Sequence, residues 1–145
     1  MTPTIFTIGY EGAAQENVIG RLKAAGVATV VDVRAVAASR RAGFSKTILG
    51  NSLAAAGMAY VHLRDLGTPK AGRDAARKGR VSEMREIFSN HLQEPAAQFQ
   101  LQQLKALATD RPTALLCFEA EACACHRAVL AERLASDDGF RIVNL

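Results

Sequence analysis

The sequence predicts an α/β fold, a three-layer sandwich with a mostly parallel sheet of about five strands, Rossmann-like in its alternation of strand and helix. Two observations point there. Short β-branched runs alternate with longer stretches of helical periodicity, and the succession of helix, glycine, strand and arginine in residues 22–34 has an echo in residues 53–64. The length of 145 residues, with 49% apolar and 22% charged, is that of one globular domain spanning 1–145. Such a chain buries enough surface to fold without a disulfide or a structural metal.

Thr4-Ile-Phe-Thr-Ile8 is a strand that stops at Gly9 and feeds a loop at Tyr10-Glu11-Gly12. Val18, Ile19, Leu22 and Ala25 then share one helical face, with Gly26 at the left-handed cap position. Thr29-Val-Val-Asp-Val33 is apolar enough for a strand buried on both faces, which completes a β-α-β unit. A basic loop follows, and Ser45 is placed to cap a helix running to Ala56 before the strand around Tyr60 to Leu63. Residues 66–80 mix Gly67, Pro69, Gly72 and Gly79 with five basic side chains, a pattern that predicts a mobile basic loop. Two amphipathic helices come next: Met84, Ile87, Phe88 and Leu92 form one stripe, and Phe99, Leu104, Leu107 and Ala108 a second after Pro95. Thr113-Ala-Leu-Leu-Cys117 is a further buried strand, followed by a loop, a helix with Leu130, Ala131 and Leu134 inward, and a short strand at 141–143.

In an open parallel sheet, ligands bind beyond the carboxyl ends of the strands, where strand order reverses. With the first strand expected beside the fourth, Gly9-Tyr10-Glu11, Asp32 with Arg34, His62 with Arg64, and Cys117-Phe118-Glu119 share one edge. The stretch from Cys117 to Arg127 carries the most chemistry. Its loop ends where the last helix begins, and the free N–H groups and dipole of a helix N-terminus favour an anion or a thiolate. Cys125 is thereby expected to be the reactive thiol, His126 its proton-transfer partner and Glu119 an orienting or acid–base group. Arg127, Arg34 and Arg40 are expected to clamp an anion, with Tyr10 and Cys117 lining the pocket.

Each expectation has a plainer competitor. Cys125-His126-Arg127 also suits a capped helix start with an ion pair. Asp32 and Arg34, on a buried strand, must be paired or stand at its exposed end, so a structural bridge competes with a ligand clamp. His62, alternating with Val61 and Leu63, is most simply a satisfied structural residue. Cys117, Cys123, Cys125 and His126 supply four zinc-type ligands, but five residues separate the first two cysteines and one the next two, unlike Cys-x-x-Cys pairs. No metal or cofactor is therefore expected.

Thr7-Ile-Gly9, Val31-Asp-Val-Arg34, Ser39-Arg40, Gly43-Phe-Ser-Lys46, Tyr60-Val-His-Leu63, Leu66-Gly67 and Cys117 to Arg127 occur in series. In that series the chain resembles the DUF488 family over nearly its whole length. The resemblance implies a small cytosolic α/β domain of a family without an established activity. Cys117, Glu119, Cys125, His126 and Arg127 match the family pattern. Ala37 and Glu121-Ala122 stand where members usually carry proline and Asp-Pro, and Cys123 is extra to the pattern. The Asp-Val-Arg signature is similar to that of rhodanese-type sulfurtransferases, but the cysteine loop is not theirs, nor is it the phosphatase loop.

No apolar run reaches the roughly 20 residues of a membrane span, and the N-terminus lacks a secretory pattern, so a cytoplasmic protein without a membrane partner is expected. Eighteen Lys and Arg against fourteen Asp and Glu give a net charge of +4, which favours anionic ligands. The expected function is that of a hydrolase or transferase acting on a phosphorylated or nucleotide-like small molecule at a thiol-containing, anion-binding site. The alternatives are a nucleic-acid-binding module without catalysis and a zinc-stapled interaction domain.

Overall fold

The computed structural model describes residues 2–145. Five strands, β1 (Thr4–Gly9), β2 (Thr29–Asp32), β3 (Ala59–His62), β4 (Thr113–Cys117) and β5 (Arg141–Asn144), form one all-parallel sheet in the order β3-β2-β4-β1-β5. Between them run α1 (Gln15–Ala24), α2 (Lys46–Ala55), α3 (Lys70–Arg77), α4 (Val81–His91), α5 (Pro95–Asp110) and α6 (His126–Asp138). This is the expected three-layer α/β arrangement. β1 lies beside β4, with Gly9 opposite Cys117.

Period-two alternation along the strands sorts the core into two layers. Ile8, Val30, Ala114 and Leu116 pack with Val18 and Leu22 of α1 and Leu49 and Leu53 of α2. Ile5, Val31, Leu115 and Cys117 face the other way, toward Phe88 of α4, Leu101 and Leu104 of α5, and Leu130 and Leu134 of α6. The chain therefore leaves β1 toward one face and β4 toward the other. Two adjacent parallel strands whose connections diverge in this way open a crevice at their carboxyl ends.

Three local expectations are corrected. Residues 66–80 are not a loop throughout: a short 3-10 turn at Arg64–Leu66 leads into α3, where Asp74 pairs with Lys70 at 3.2 Å and with Arg77 at 3.2 Å. Gly72 lies inside that helix because α3 packs tightly; a Cβ there would sit 2.1 Å from Thr68 Cγ2 and 3.3 Å from Ile87 Cγ2 of α4. Phe99 is 67% exposed, since the buried stripe of α5 is Ala97, Leu101, Leu104 and Ala108, a helical series that places position 99 on the outer side. Ser45 occupies the N-cap of α2, but its hydroxyl bonds the backbone of Ser39 instead of the helix, tying the β2–α2 loop together. No helix among the described residues is long and apolar enough to cross a membrane.

Candidate functional site

The β1–β4 crevice requires glycine at its floor. A Cβ on Gly9 would lie 1.7 Å from the Glu119 carbonyl oxygen, so only Gly9 lets the loop after β4 close over the end of β1. Arg127 clamps that loop from α6: it is 1% exposed, and its guanidinium donates to the carbonyls of Glu119 and, at 3.1 Å, Ala120. The Glu11 carboxylate accepts from the Ala120 N–H at 3.1 Å on the opposite side. Arg127 thus builds the site from behind. This differs from the anion clamp expected of it, because the buried guanidinium turns Nη1 and Nη2 to the loop carbonyls, with Nε left without a partner.

The folded loop brings two sulfurs and an imidazole together. Cys117 Sγ at the end of β4 lies 3.7 Å from His126 Nδ1, and Cys125 Sγ at the N-cap of α6 lies 3.6 Å from the same nitrogen. The other ring nitrogen, Nε2, lies 2.7 Å from the Val33 carbonyl oxygen. A carbonyl only accepts, so Nε2 carries a proton and the Nδ1 side faces both sulfurs. The Arg127 backbone N–H donates to Cys125 Sγ at 3.5 Å, and Glu119 Oε2 accepts from the Cys117 thiol at 3.4 Å. Phe88 packs its ring edge to face with His126 at a centroid distance of 4.9 Å, closing the rear of the cluster.

The charges within the cluster divide unequally. Burial works against a Cys125 thiolate, but the hydrogen bond from Cys117 and the charge of His126 outweigh it and hold Cys125 well below the usual thiol range. Burial likewise opposes charge on His126, yet the facing Cys125 raises it above its ordinary value. The hydrogen bond to Cys125, with burial, pushes the Cys117 thiol well up. Burial, reinforced by the Cys125 charge, also raises the Glu119 carboxyl.

A second network stands on the other face of the sheet edge. Asp32 is fully buried and receives Arg34 side-on, from Nε at 2.9 Å and from Nη2 at 2.6 Å. The Tyr60 hydroxyl donates to the same carboxylate at 2.5 Å, while Arg34 Nη1 donates to the Tyr10 hydroxyl at 3.0 Å and to the Phe44 carbonyl at 2.7 Å. Burial alone would lower the Arg34 pKa, but the Asp32 carboxylate more than offsets it and holds the guanidinium charged. Of the two readings for this pair, the geometry is that of a structural bridge. His62 is also structural, with its Nε2 against the Arg34 carbonyl at 2.7 Å.

A pocket of about 960 Å³ opens over both networks. Cys117, His126 and Glu119 line it, as do Tyr10, Arg34 and Arg40, whereas Cys125 and Arg127 lie behind its wall. The sulfur that meets the pocket is therefore Cys117, not the Cys125 expected from helix-terminus chemistry. Cys123 is exposed and outside the cluster. Arg73, Arg77 and Phe118 also line the wall. The basic composition of residues 70–80 was the available signal for the two arginines, but only the folding of α3 aims them at the crevice.

The family model described as Domain of unknown function DUF488 matches residues 14–134. The chain belongs to the DUF488 family. The matched span holds β2, β4, the cysteine–histidine loop and most of α6, so the cluster of this DUF488 domain lies within the shared region. No curated protein and no solved structure matches the chain.

Proposed function

We propose that the pocket takes a phosphorylated or nucleotide-like small molecule and that the protein acts on it as a hydrolase or transferase. The observation that carries this reading is the convergence of Arg40, Arg73 and Arg77 with Cys117, His126 and Glu119 on one cavity. The arginines come from the β2–α2 loop and α3, and the reactive groups from the β4–α6 connection. A substrate anchored by its phosphate on the first wall would present its remainder to the second. Arg40 supports the anchoring role most directly, because it is exposed and makes no side-chain hydrogen bond or ion pair among the described residues. Phe118, 44% exposed and braced edge-on by Tyr10 at 5.4 Å, offers an aromatic face for a base.

In this reading Glu119 exchanges protons with the substrate and Cys117 is the thiol that touches it, while Cys125 and His126 set the charge of the cluster from behind. A nucleic-acid module is less well supported, since Arg40, Arg73 and Arg77 line one cavity of about 960 Å³, the size of a small-molecule site. Calorimetric titration with inorganic phosphate, a sugar phosphate and nucleoside monophosphates tests the proposal. Arg40→Ala should weaken every phosphorylated ligand about tenfold, the loss of one charge-assisted hydrogen bond. Phe118→Ala should weaken only the nucleotides, by about 1–3 kcal/mol of stacking. Absence of binding by all of these ligands, or binding indifferent to Arg40, sinks it.

A further inference from the structure

We infer that Cys117, Cys125 and His126 form a binding site for a divalent cation of borderline softness, zinc above all. The three ligand atoms lie within 4.8 Å of one another and are buried. The two nitrogen-to-sulfur edges match tetrahedral coordination. With Zn–S near 2.3 Å and Zn–N near 2.0–2.1 Å, the nitrogen-to-sulfur edge of a tetrahedron is about 3.6 Å; the observed edges are 3.7 Å for Cys117 and 3.6 Å for Cys125.

The surroundings are those of a ligand set and not of a chance cluster. The Val33 carbonyl takes the Nε2 proton of His126 at 2.7 Å, which fixes the tautomer whose Nδ1 lone pair faces the sulfurs. The Arg127 N–H donates to Cys125 Sγ at 3.5 Å, the kind of backbone hydrogen bond that supports a ligating thiolate. Binding displaces two protons from the cluster to solvent, and the resulting two thiolates with a neutral imidazole balance the charge of a divalent ion. Cys123, which made the spacing in sequence look irregular, is exposed and takes no part.

Three protein ligands leave one coordination position. Two of them, Cys117 and His126, line the pocket, and Glu119 Oε2 stands 3.4 Å from Cys117 Sγ. A site with three protein ligands and a carboxylate beside it suits a metal-bound water and a proton acceptor, the arrangement of a catalytic zinc centre and not of a structural one. This deepens the proposed hydrolytic reading and rests on it only for the use of that water; the metal site itself stands on the geometry.

The test is a cobalt titration of the whole protein, stripped of metal and reduced with a phosphine. Thiolate-to-cobalt charge-transfer absorption with intense tetrahedral visible bands, saturating at one ion per chain, is expected. Cys117→Ser, Cys125→Ser and His126→Ala should each weaken binding by more than about a hundredfold, with Cys123→Ser unchanged. X-ray absorption of the zinc-loaded wild-type protein, which needs no variant to fold, should show a shell of two sulfurs with nitrogen or oxygen completing it. No thiolate absorption, a sulfur-free shell, or dependence on Cys123 overturns the inference. Cobalt binding without any phosphate binding leaves the metal site standing and removes the anion reading; phosphate binding without metal does the reverse.

Discussion

Arg127 and Asp32 show how a charged side chain in a short motif can serve the fold instead of the ligand. Both are buried, Arg127 holding the Glu119 and Ala120 carbonyls and Asp32 holding the Arg34 guanidinium. Arg127→Met keeps much of the volume but leaves the Glu119 and Ala120 carbonyls without their donors. It should cost about 3 kcal/mol in urea denaturation and speed hydrogen exchange in residues 118–125. Asp32→Asn leaves Arg34 charged with its counter-ion removed, and a loss of about 3–5 kcal/mol is expected by the same measurement. Stability unchanged by either substitution would show that the buried charges are free to reach solvent. Arg34 was legible as either bridge or clamp, because a buried Asp-Val-Arg strand must pair its charges. What sequence could not supply was Tyr60, 28 positions from Asp32, whose hydroxyl takes part of the same carboxylate.

At the scale of elements, α3 is the main difference between sequence and structure. Glycines among basic residues read as loop punctuation, yet Gly72 is there because Thr68 and Ile87 leave no room for a side chain. Two opposing effects meet at this position. Alanine should gain about 1 kcal/mol of helix propensity, while overpacking against the Thr68 methyl should cost about 1–3 kcal/mol. Gly72→Ala alone is therefore expected to be neutral to destabilising, and in a Thr68→Ser background, where the methyl is gone, stabilising. Thermal denaturation of the two single variants and the double variant reads this sign change directly; the same sign in both backgrounds would reject the packing explanation. α5 carries the complementary lesson. Its helical periodicity was evident, but Phe99 was assigned to the stripe by residue type, whereas the angular position dictated by Ala97, Leu101, Leu104 and Ala108 decides burial.

For the molecule as a whole, the distribution of charge matters more than the net +4. Asp74 offsets one of the three basic charges on α3, and Arg73 and Arg77 join Arg40 in a local cationic wall of the pocket. A phosphate monoester bound there should lose only a few-fold in affinity between about 50 and 200 mM salt. A polymer neutralising about six phosphates would lose about 1,000-fold. Fluorescence titrations with a labelled nucleotide and a labelled oligonucleotide across that range distinguish the two, and a steep slope with tighter oligonucleotide binding would favour the nucleic-acid module. The position of the crevice belongs to this scale too. It follows from β1 and β4 being neighbours whose connections leave toward opposite faces, a property of no single motif.

The alternation of strands and helices, the placing of polar residues at strand ends, and the concentration of chemistry between Cys117 and Arg127 were determined by sequence alone. Each is a consequence of local periodicity and residue type. Which groups meet was decided only by tertiary structure. Cys117 and Cys125 are eight positions apart and Val33 is 93 from His126, so their contact depends on strand order and on the path of the loop over Gly9. The pocket-facing sulfur, the inward turn of Arg127 and the exclusion of Cys123 follow from that path. Burial and hydrogen-bond satisfaction act through space, and one-dimensional spacing carries no record of them once a connection stops being regular.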